Sequence, residues 1–258
     1  MDILIPTYNR PAALAVTLTS LLSQGLRLRI VVSDQGEVEA RIAPEVQAVA
    51  RVLEAHGHAV VWHRHLPRRG LAEQREFLLS EAHSPYALFL DDDVILGPYA
   101  LPPLQDTLKA EGCGFVGYGL IGPSFLHDER PHEQAIEYWQ GPVEPETVTP
   151  ESPSWSRHRL HNAANLFHVG RDVSGHHRYR VAWIGGCVLY DVAALRAVGG
   201  FSFWSSLPRD HCGEDVLAQL RVMARFGGCG LLPSRAYHQE LATTIVDRRV
   251  DAPRVLAL

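Results

Sequence analysis

Tyr86-Ala87-Leu88-Phe89-Leu90-Asp91-Asp92-Asp93-Val94 decides how the rest of the chain is read. Five apolar or aromatic residues run directly into three carboxylates. A short apolar run rich in strand-favouring residues predicts a buried strand that delivers the acidic triplet at its end. Alternation along a strand would send Asp91 and Asp93 to one side and Asp92 to the other. Two unit charges about 4 Å apart interact by roughly 4 kcal/mol at an effective dielectric near 20, so crowded carboxylates need something to offset their repulsion. A divalent cation with oxygen ligands, accompanied by a phosphate-bearing substrate, is one answer. A solvated turn in which one Asp caps the next helix is the other.

The sequence on the N-terminal side alternates strands with helices. Ile3-Leu4-Ile5, closed by Pro6, predicts the first strand. Leu14, Leu18, Leu21 and Leu22 then mark one buried helical face, with Asn9 as a cap and Pro11 in the first turn. Ile30–Ser33 and Ala59–Trp62 predict two further strands, separated by a helix carrying Val46, Val49 and Leu53. Gly70-Leu71-Ala72 opens a helix with Gln74 and Arg75 that leads into the acidic strand. Such alternation implies an α/β fold with a mostly parallel sheet covered by helices. Ligands gather at the carboxyl ends of these strands, where Thr7, Asp34 and Asp91 to Asp93 all fall.

On the C-terminal side, Leu101, Leu104 and Leu108 predict an amphipathic helix stopped by Gly112, and Phe115-Val116 a short strand. From about 122 to 180 no period is visible, and a long irregular segment inside a compact domain is more often functional or mobile than inert. Val181 to Tyr190 reads as a strand whose Gly185 and Gly186 imply a bulge or a close backbone approach. A helix at Val192 to Ala197 follows, then one opened by Gly213-Glu214-Asp215, where acidic residues also suit the helix dipole. Arg235 to His238 resembles a short strand before a polar tail.

With 258 residues, 46% of them hydrophobic and 21% charged, the chain has room for one large α/β domain or two small ones. Its net charge of −5 argues against general nucleic-acid binding. No apolar run has the length of a membrane span and no signal-type segment opens the chain, which predicts a soluble, cytoplasmic protein. Cys113, Cys187, Cys212 and Cys229 form no CxxC pair and are expected to be buried free thiols.

Taken in order, ILIPTYNRP, VVSDQG, GLAEQR, LFLDDDV, WIGGCVLYD, VGGF, GED and YH resemble family 2 glycosyltransferases of the GT-A fold. The resemblance covers nearly the whole chain apart from 122–180 and the tail. It implies a single GT-A domain with a Rossmann-like sheet, residues 1–118 forming a nucleotide-sugar-binding half and 119–258 an acceptor-binding and catalytic half. It further implies a nucleotide-diphosphate sugar donor (a UDP-sugar favoured), Mn²⁺ or Mg²⁺, and inverting transfer to a hydroxyl of a carbohydrate or other acceptor.

Residue by residue, Pro6, Thr7, Asn9 and Arg10 match the first nucleotide-binding loop, and Asp34 the acidic residue that contacts the base. Gly70 and Arg75 match the segment bordering ribose and diphosphate. Asp91 and Asp93 match the DxD motif, Asp93 as the direct metal ligand and Asp91 as a contact to ribose or sugar and a second metal ligand. Asp92 is its middle position, against sugar or ribose. Gly185 and Gly186 match the floor beneath the transferred sugar, Asp215 the general base, Glu214 its acidic partner and His238 a late metal ligand.

Departures from the family pattern are Ser33-Asp34 for the usual acidic pair, Glu76 where Asn is frequent, and His211-Cys212 before Gly213. Trp139, Trp155, His158, His161, Asn162 and Asn165 are candidate contacts to a sugar acceptor, or packed aromatics and polar residues of a surface loop. A sugar nucleotidyltransferase would show a glycine-rich GxGxR-type loop after the first strand, and Pro6 to Arg10 lacks it. A catalytically silent nucleotide-sugar-binding module is the other alternative, and it would not need Glu214 and Asp215.

Overall fold

The computed structural model describes residues 1–161, 163–170, 173–245 and 247–258. β1 (Asp2–Thr7) is buried along its whole length. Ile3 and Ile5 enter the core on one face of the sheet and Leu4 the core on the other. An unbroken apolar run is what a strand covered on both faces requires. α1 (Pro11–Ser20), β2 (Arg29–Asp34), α2 (Pro44–Ala55), β3 (Ala59–Arg64), α3 (Leu71–Ser80) and β4 (Tyr86–Leu90) complete the expected alternation. β4 repeats the two-sided burial, with Ala87 and Phe89 on one face and Leu88 and Leu90 on the other.

β5 (Val94–Leu96), α4 (Leu101–Glu111), β6 (Phe115–Gly117), α5 (Ala163–Gly170), β7 (His177–Tyr179) and β8 (Cys187–Asp191) follow. α6 (Val192–Ala197), α7 (Glu214–Phe226), β9 (Gly228–Leu232) and β10 (Ala236–His238) come next. Eight strands form one sheet in the order β3-β2-β1-β4-β8-β6-β9-β7. The four strands from β3 to β4 are parallel, β8 runs against both of its neighbours, and β6 and β9 are parallel. The fold is therefore the expected helix-flanked, mostly parallel sheet.

Register then assembles the carboxyl edge. Thr7 pairs with Asp34 across β1 and β2, while the β1–β4 ladder ends at Leu4 and Phe89. β1 continues through Pro6, which lies beyond that ladder, so its missing N–H takes nothing from β4. A separate two-stranded antiparallel sheet pairs β5 with β10 and sets His238 opposite Val94. The last strand is thereby carried back beside the acidic triplet.

Three local expectations are corrected. β4 ends at Leu90, and Asp91 to Asp93 form a turn in which the Val94 N–H reaches the Asp91 carbonyl at 3.3 Å. Strand alternation therefore does not govern the triplet, and all three carboxylates border the same cleft. Asn9 does not cap α1: the N-cap residue is Arg10, and Asn9, at φ 56, accepts the Glu37 N–H at 2.6 Å instead. The strand expected over Val181 to Tyr190 begins only at Cys187, because Gly185 and Gly186 turn the chain before it. The irregular stretch also holds an edge strand, β7, on β9, in a histidine- and arginine-rich run without apolar alternation. All four cysteines are free; three are buried and Cys212 is partly exposed.

Candidate active site

A cleft of ≈ 340 Å³ opens at the carboxyl ends of β1 and β4. Of the residues singled out from the sequence, Pro6, Thr7, Arg10, Arg75, Asp91, Asp92, Asp93, Glu214, Asp215 and His238 line it. They arrive from both halves of the chain.

Each carboxylate of the triplet has its own partner. Asp91 accepts from Arg75 Nη2 at 2.8 Å, and Asp92 accepts from the Thr7 hydroxyl at 2.6 Å. Asp93 Oδ2 accepts from Arg10 Nη1 at 2.7 Å and faces His238 Nε2 at 3.4 Å. Burial raises the Asp92 carboxyl to about 6, helped by the neighbouring Asp93 and Asp91 charges and opposed by Thr7 and Arg10. Burial pushes Asp93 the same way, but His238 and Arg10 outweigh it and its pKa is lowered. His238 is raised in turn, first by its hydrogen bond to Asp93.

The second acidic pair stands at the start of α7. Glu214 is buried and accepts from Arg75 Nε at 3.0 Å, so one guanidinium joins it to Asp91 across the cleft. Burial opposes that charge on Arg75, yet Asp91, Glu214 and Asp215 together raise its pKa and hold it protonated. Asp215 is only partly enclosed by its own surface, but its carboxylate sits in the cleft wall. Burial and then the Glu214 charge raise it to about 7, with Arg75 and the Val216 N–H acting against them. A general base is most useful with a pKa near the working pH.

Other expected residues build the walls. Asp34 is buried with both oxygens engaged, on the N–H groups of Gly36 at 2.7 Å and Ala40 at 2.6 Å, so it orders the loop after β2. It borders a small cavity with Trp62 and Arg64 and does not line the main cleft. Gly70 has φ 115, and a Cβ there would lie 2.6 Å from the His211 ring and 2.7 Å from the Arg209 carbonyl. Gly186 has φ 73, and a Cβ would come within 2.7 Å of Leu120 and 3.3 Å of Asp91 Oδ2. Gly70 thus lets the segment with Arg209 and His211 pack against the start of α3, and Gly186 permits close approach beside Asp91.

Two features escaped the sequence. Buried His211 donates from Nδ1 to the Pro208 carbonyl at 2.7 Å and accepts the Ala72 N–H on Nε2 at 3.2 Å. It satisfies an otherwise unpaired N–H in the first turn of α3, so this departure from the family pattern has a structural use. The polar tail also folds back: Leu241, Thr243, Thr244, Ile245 and Arg248 line the cleft. Neither contact has a sequence period that could announce it.

The candidate acceptor residues do not form one group. His158 and His161 surround a second depression with Trp183, Glu133 and Gly185. Trp139 lies elsewhere, under Arg180 at 3.7 Å, and Trp155 packs on the core. Asn165 is fully buried and donates to Glu133 at 3.1 Å, while Asn162 lies outside the described residues.

Among the described residues, no group of three or more His, Cys, Asp or Glu side chains forms a metal cage. Mg²⁺-type sites seldom need one: one or two carboxylates and substrate phosphates commonly suffice. At full ionisation the five carboxylates of the cleft outnumber its three guanidiniums, from Arg10, Arg75 and Arg248. Asp91 and Asp93 therefore fit a divalent cation as oxygen donors. His238 fits less directly. Its Nδ1 accepts the Glu240 N–H at 3.1 Å, so Nε2 carries the proton towards Asp93, whereas a metal-bound imidazole usually donates from its other nitrogen.

The sheet order, the acidic turn after β4 and the carboxylate pair at the start of α7 define a GT-A fold with a cleft at the carboxyl edge of its sheet. The family model for glycosyl transferase family 2 matches residues 2–172, and the chain belongs to that family. Among solved structures, Staphylococcus aureus TarS is 15% identical with a TM-score of 0.56, covering 92% of this chain and 36% of its own. Its 1–349 fragment in complex with UDP-GlcNAc is 13% identical with a TM-score of 0.56, covering 100% of this chain and 61% of its own. A Pyrobaculum calidifontis mannosyltransferase in complex with GDP-Man and Mn²⁺ is 16% identical with a TM-score of 0.54, covering 89% of this chain and 55% of its own. The chain thus spans between about a third and three fifths of these structures. No curated protein sequence matches it. No helix among the described residues is long and apolar enough to cross a membrane.

Proposed function

We propose that this protein is an inverting glycosyltransferase that moves a sugar from a nucleotide diphosphate, a UDP-sugar by preference, to an acceptor hydroxyl. The observation that carries this proposal is the meeting of Asp91 to Asp93, Glu214, Asp215 and His238 in one cleft at the carboxyl edge of the sheet. Structures with the same fold have been solved with UDP-GlcNAc and with GDP-Man and Mn²⁺, which supports a nucleotide-sugar donor and a divalent cation.

Arg10 brings a guanidinium to the cleft, where phosphate oxygens can accept from it, while the Thr7 hydroxyl holds Asp92 in place. Asp93, with Asp91, would hold Mn²⁺ or Mg²⁺, which when bound supplies positive charge to the leaving diphosphate. Asp215 takes the proton from the acceptor hydroxyl as it attacks. A single displacement needs one base and no enzyme nucleophile, and an aligned base contributes about 10²–10⁴-fold. Glu214, anchored by Arg75, stands beside Asp215 at the front of α7, and its negative charge raises the basicity of Asp215. Trp183, His158 and His161, in the second depression beside Gly185, offer apolar ring faces and polar edges to an acceptor sugar.

The test is a screen of UDP-, GDP- and dTDP-sugars with Mn²⁺ or Mg²⁺, following nucleotide release and donor binding together. Donor binding and release in the wild type, with release lost in D215N, is the expected outcome. Binding with no release from any donor would instead identify a binding module of the same fold.

A further inference from the structure

Arg10 already sits on Oδ2 of Asp93, one of the two carboxylate oxygens open to a cation. Its Nη1 lies 2.7 Å from Asp93 Oδ2 and 3.4 Å from Asp92 Oδ1, while Nη2 donates to the Ala242 carbonyl of the tail. His238 Nε2 faces the same Asp93 oxygen at 3.4 Å and presents a proton to it. An oxygen flanked by two N–H donors cannot also be given to a metal without displacing one of them. Arg10 is the one of the two whose departure would also free a piece of chain.

The anchoring of the tail is uneven. Gln239 is pinned: its N–H reaches the Asp93 carbonyl at 2.8 Å and its side chain reaches Ala13 and Thr17 at 3.1 and 3.2 Å. Glu240 is held by Ser124 through contacts of 2.6 and 3.0 Å. Beyond them, Leu241 and Thr243 to Ile245 lie along the cleft, and the Ala242 carbonyl is fastened to Arg10. Arg10, which together with His238 offsets Asp93, therefore also ties down the chain that borders the cleft.

We propose that Arg10 is an internal counter-cation that competes with the divalent metal for Asp93 and, through Ala242, couples metal entry to release of residues 241–245, the chain beyond Val250 being held separately by Cys212. Displaced from Asp93, its planar fork suits the incoming diphosphate better than a point charge would. The coupling rests on the cation assignment made above, and it assigns Arg10 a role in the donor-free enzyme that nucleotide binding alone does not require.

The experiment titrates the full chain with Mn²⁺ alone, without nucleotide, following the paramagnetic resonance of free Mn²⁺. R10Q is expected to bind Mn²⁺ about tenfold more tightly than wild type, a typical coupling between linked sites. R10K, which keeps a cation at the position, is expected to stay near wild type and guards against a folding artefact in R10Q. Equal or weaker Mn²⁺ binding by R10Q overturns the competition. Limited trypsin cleavage after the exposed Arg248 and Arg249 reads the tail. Mn²⁺ should accelerate it in wild type, and R10Q should be cut fast with or without Mn²⁺; cleavage of the wild type indifferent to Mn²⁺ overturns the coupling. Undiminished Mn²⁺ binding by D93A would instead overturn the cation assignment itself, so the two failures are distinguishable.

Discussion

Arg75→Met removes the one cation that joins the two acidic motifs, and its effect can be worked from the structure. Arg75 is 4% exposed in its side chain and contacts Asp91 at 2.8 Å and Glu214 at 3.0 Å. The two contacts are unequal. Asp91 is 35% exposed, so water can take over much of its solvation, whereas Glu214 at 3% has no such recourse. Breaking a buried pair by removing one partner costs about 3–5 kcal/mol, chiefly because the remaining charge is stranded. Against a total stability of about 5–15 kcal/mol, that is a large share. Urea unfolding at pH 8 should show a loss in this range for R75M. The double variant R75M/E214Q should recover a good part of it, since neutralising Glu214 removes the stranded charge. R75K should fall between, because a single ammonium cannot span both carboxylates with the geometry of Nε and Nη2. A loss below about 1 kcal/mol for R75M, typical of an exposed pair, would refute the assignment of Arg75 as the buried bridge.

Asp93→Ala should abolish metal-dependent nucleotide binding, and unchanged affinity measured calorimetrically with Mn²⁺ present would remove Asp93 from the donor site. Asp215→Asn should bind donor as wild type does yet lose at least about 10²-fold in transfer, in line with the loss of a general base. Because Asp215 is raised to about 7, kcat/KM should rise with pH through about 7 and then level; a profile flat from pH 5.5 to 8.5 would rule it out as the base. The same shift has a stability consequence with a definite sign. A carboxyl whose folded pKa lies above its unfolded value favours the folded state when protonated, so ionisation costs stability increasingly between about pH 4 and 7. D215N should therefore be more stable than wild type at pH 8 and equal to it below pH 4, as thermal unfolding at the two pH values would show. His211→Ala should leave the Ala72 N–H without its acceptor and cost about 1 kcal/mol in chemical denaturation, whereas no measurable loss would deny it the capping role.

The order of elements was legible in the chain itself. Leu14 and Leu18 of α1 and Leu101, Leu104 and Leu108 of α4 recur at the helical period, the strands β1, β2 and β4 are continuous apolar runs, and all are buried as those patterns require. Binary patterning depends only on local geometry and water, so it survives without knowledge of the partner element. The acidic turn and the Glu214-Asp215 pair could be recognised as residue types at motif spacing, and most of the expected site residues do line one cleft. How each side chain is used could not be recognised that way. Asn9 turns to the Glu37 N–H, and Asp34 gives both oxygens to its own loop. Arg75 reaches 139 positions along the chain to Glu214. Such choices are settled by whichever donor arrives within 3 Å, and sequence separation carries no record of it.

By itself, then, the sequence determined an α/β sheet with its carboxylates at the strand ends, because hydrophobic period and charge are properties of neighbouring residues. Tertiary structure alone decided that all three members of Asp91–Asp93 face one cleft, that Arg10 lies against Asp93, and that residues of the tail line the same cleft. The physical reason lies in β10: pairing with β5 returns residues 236–238 to the acidic turn and delivers His238 and the tail to a site built by the other end of the chain.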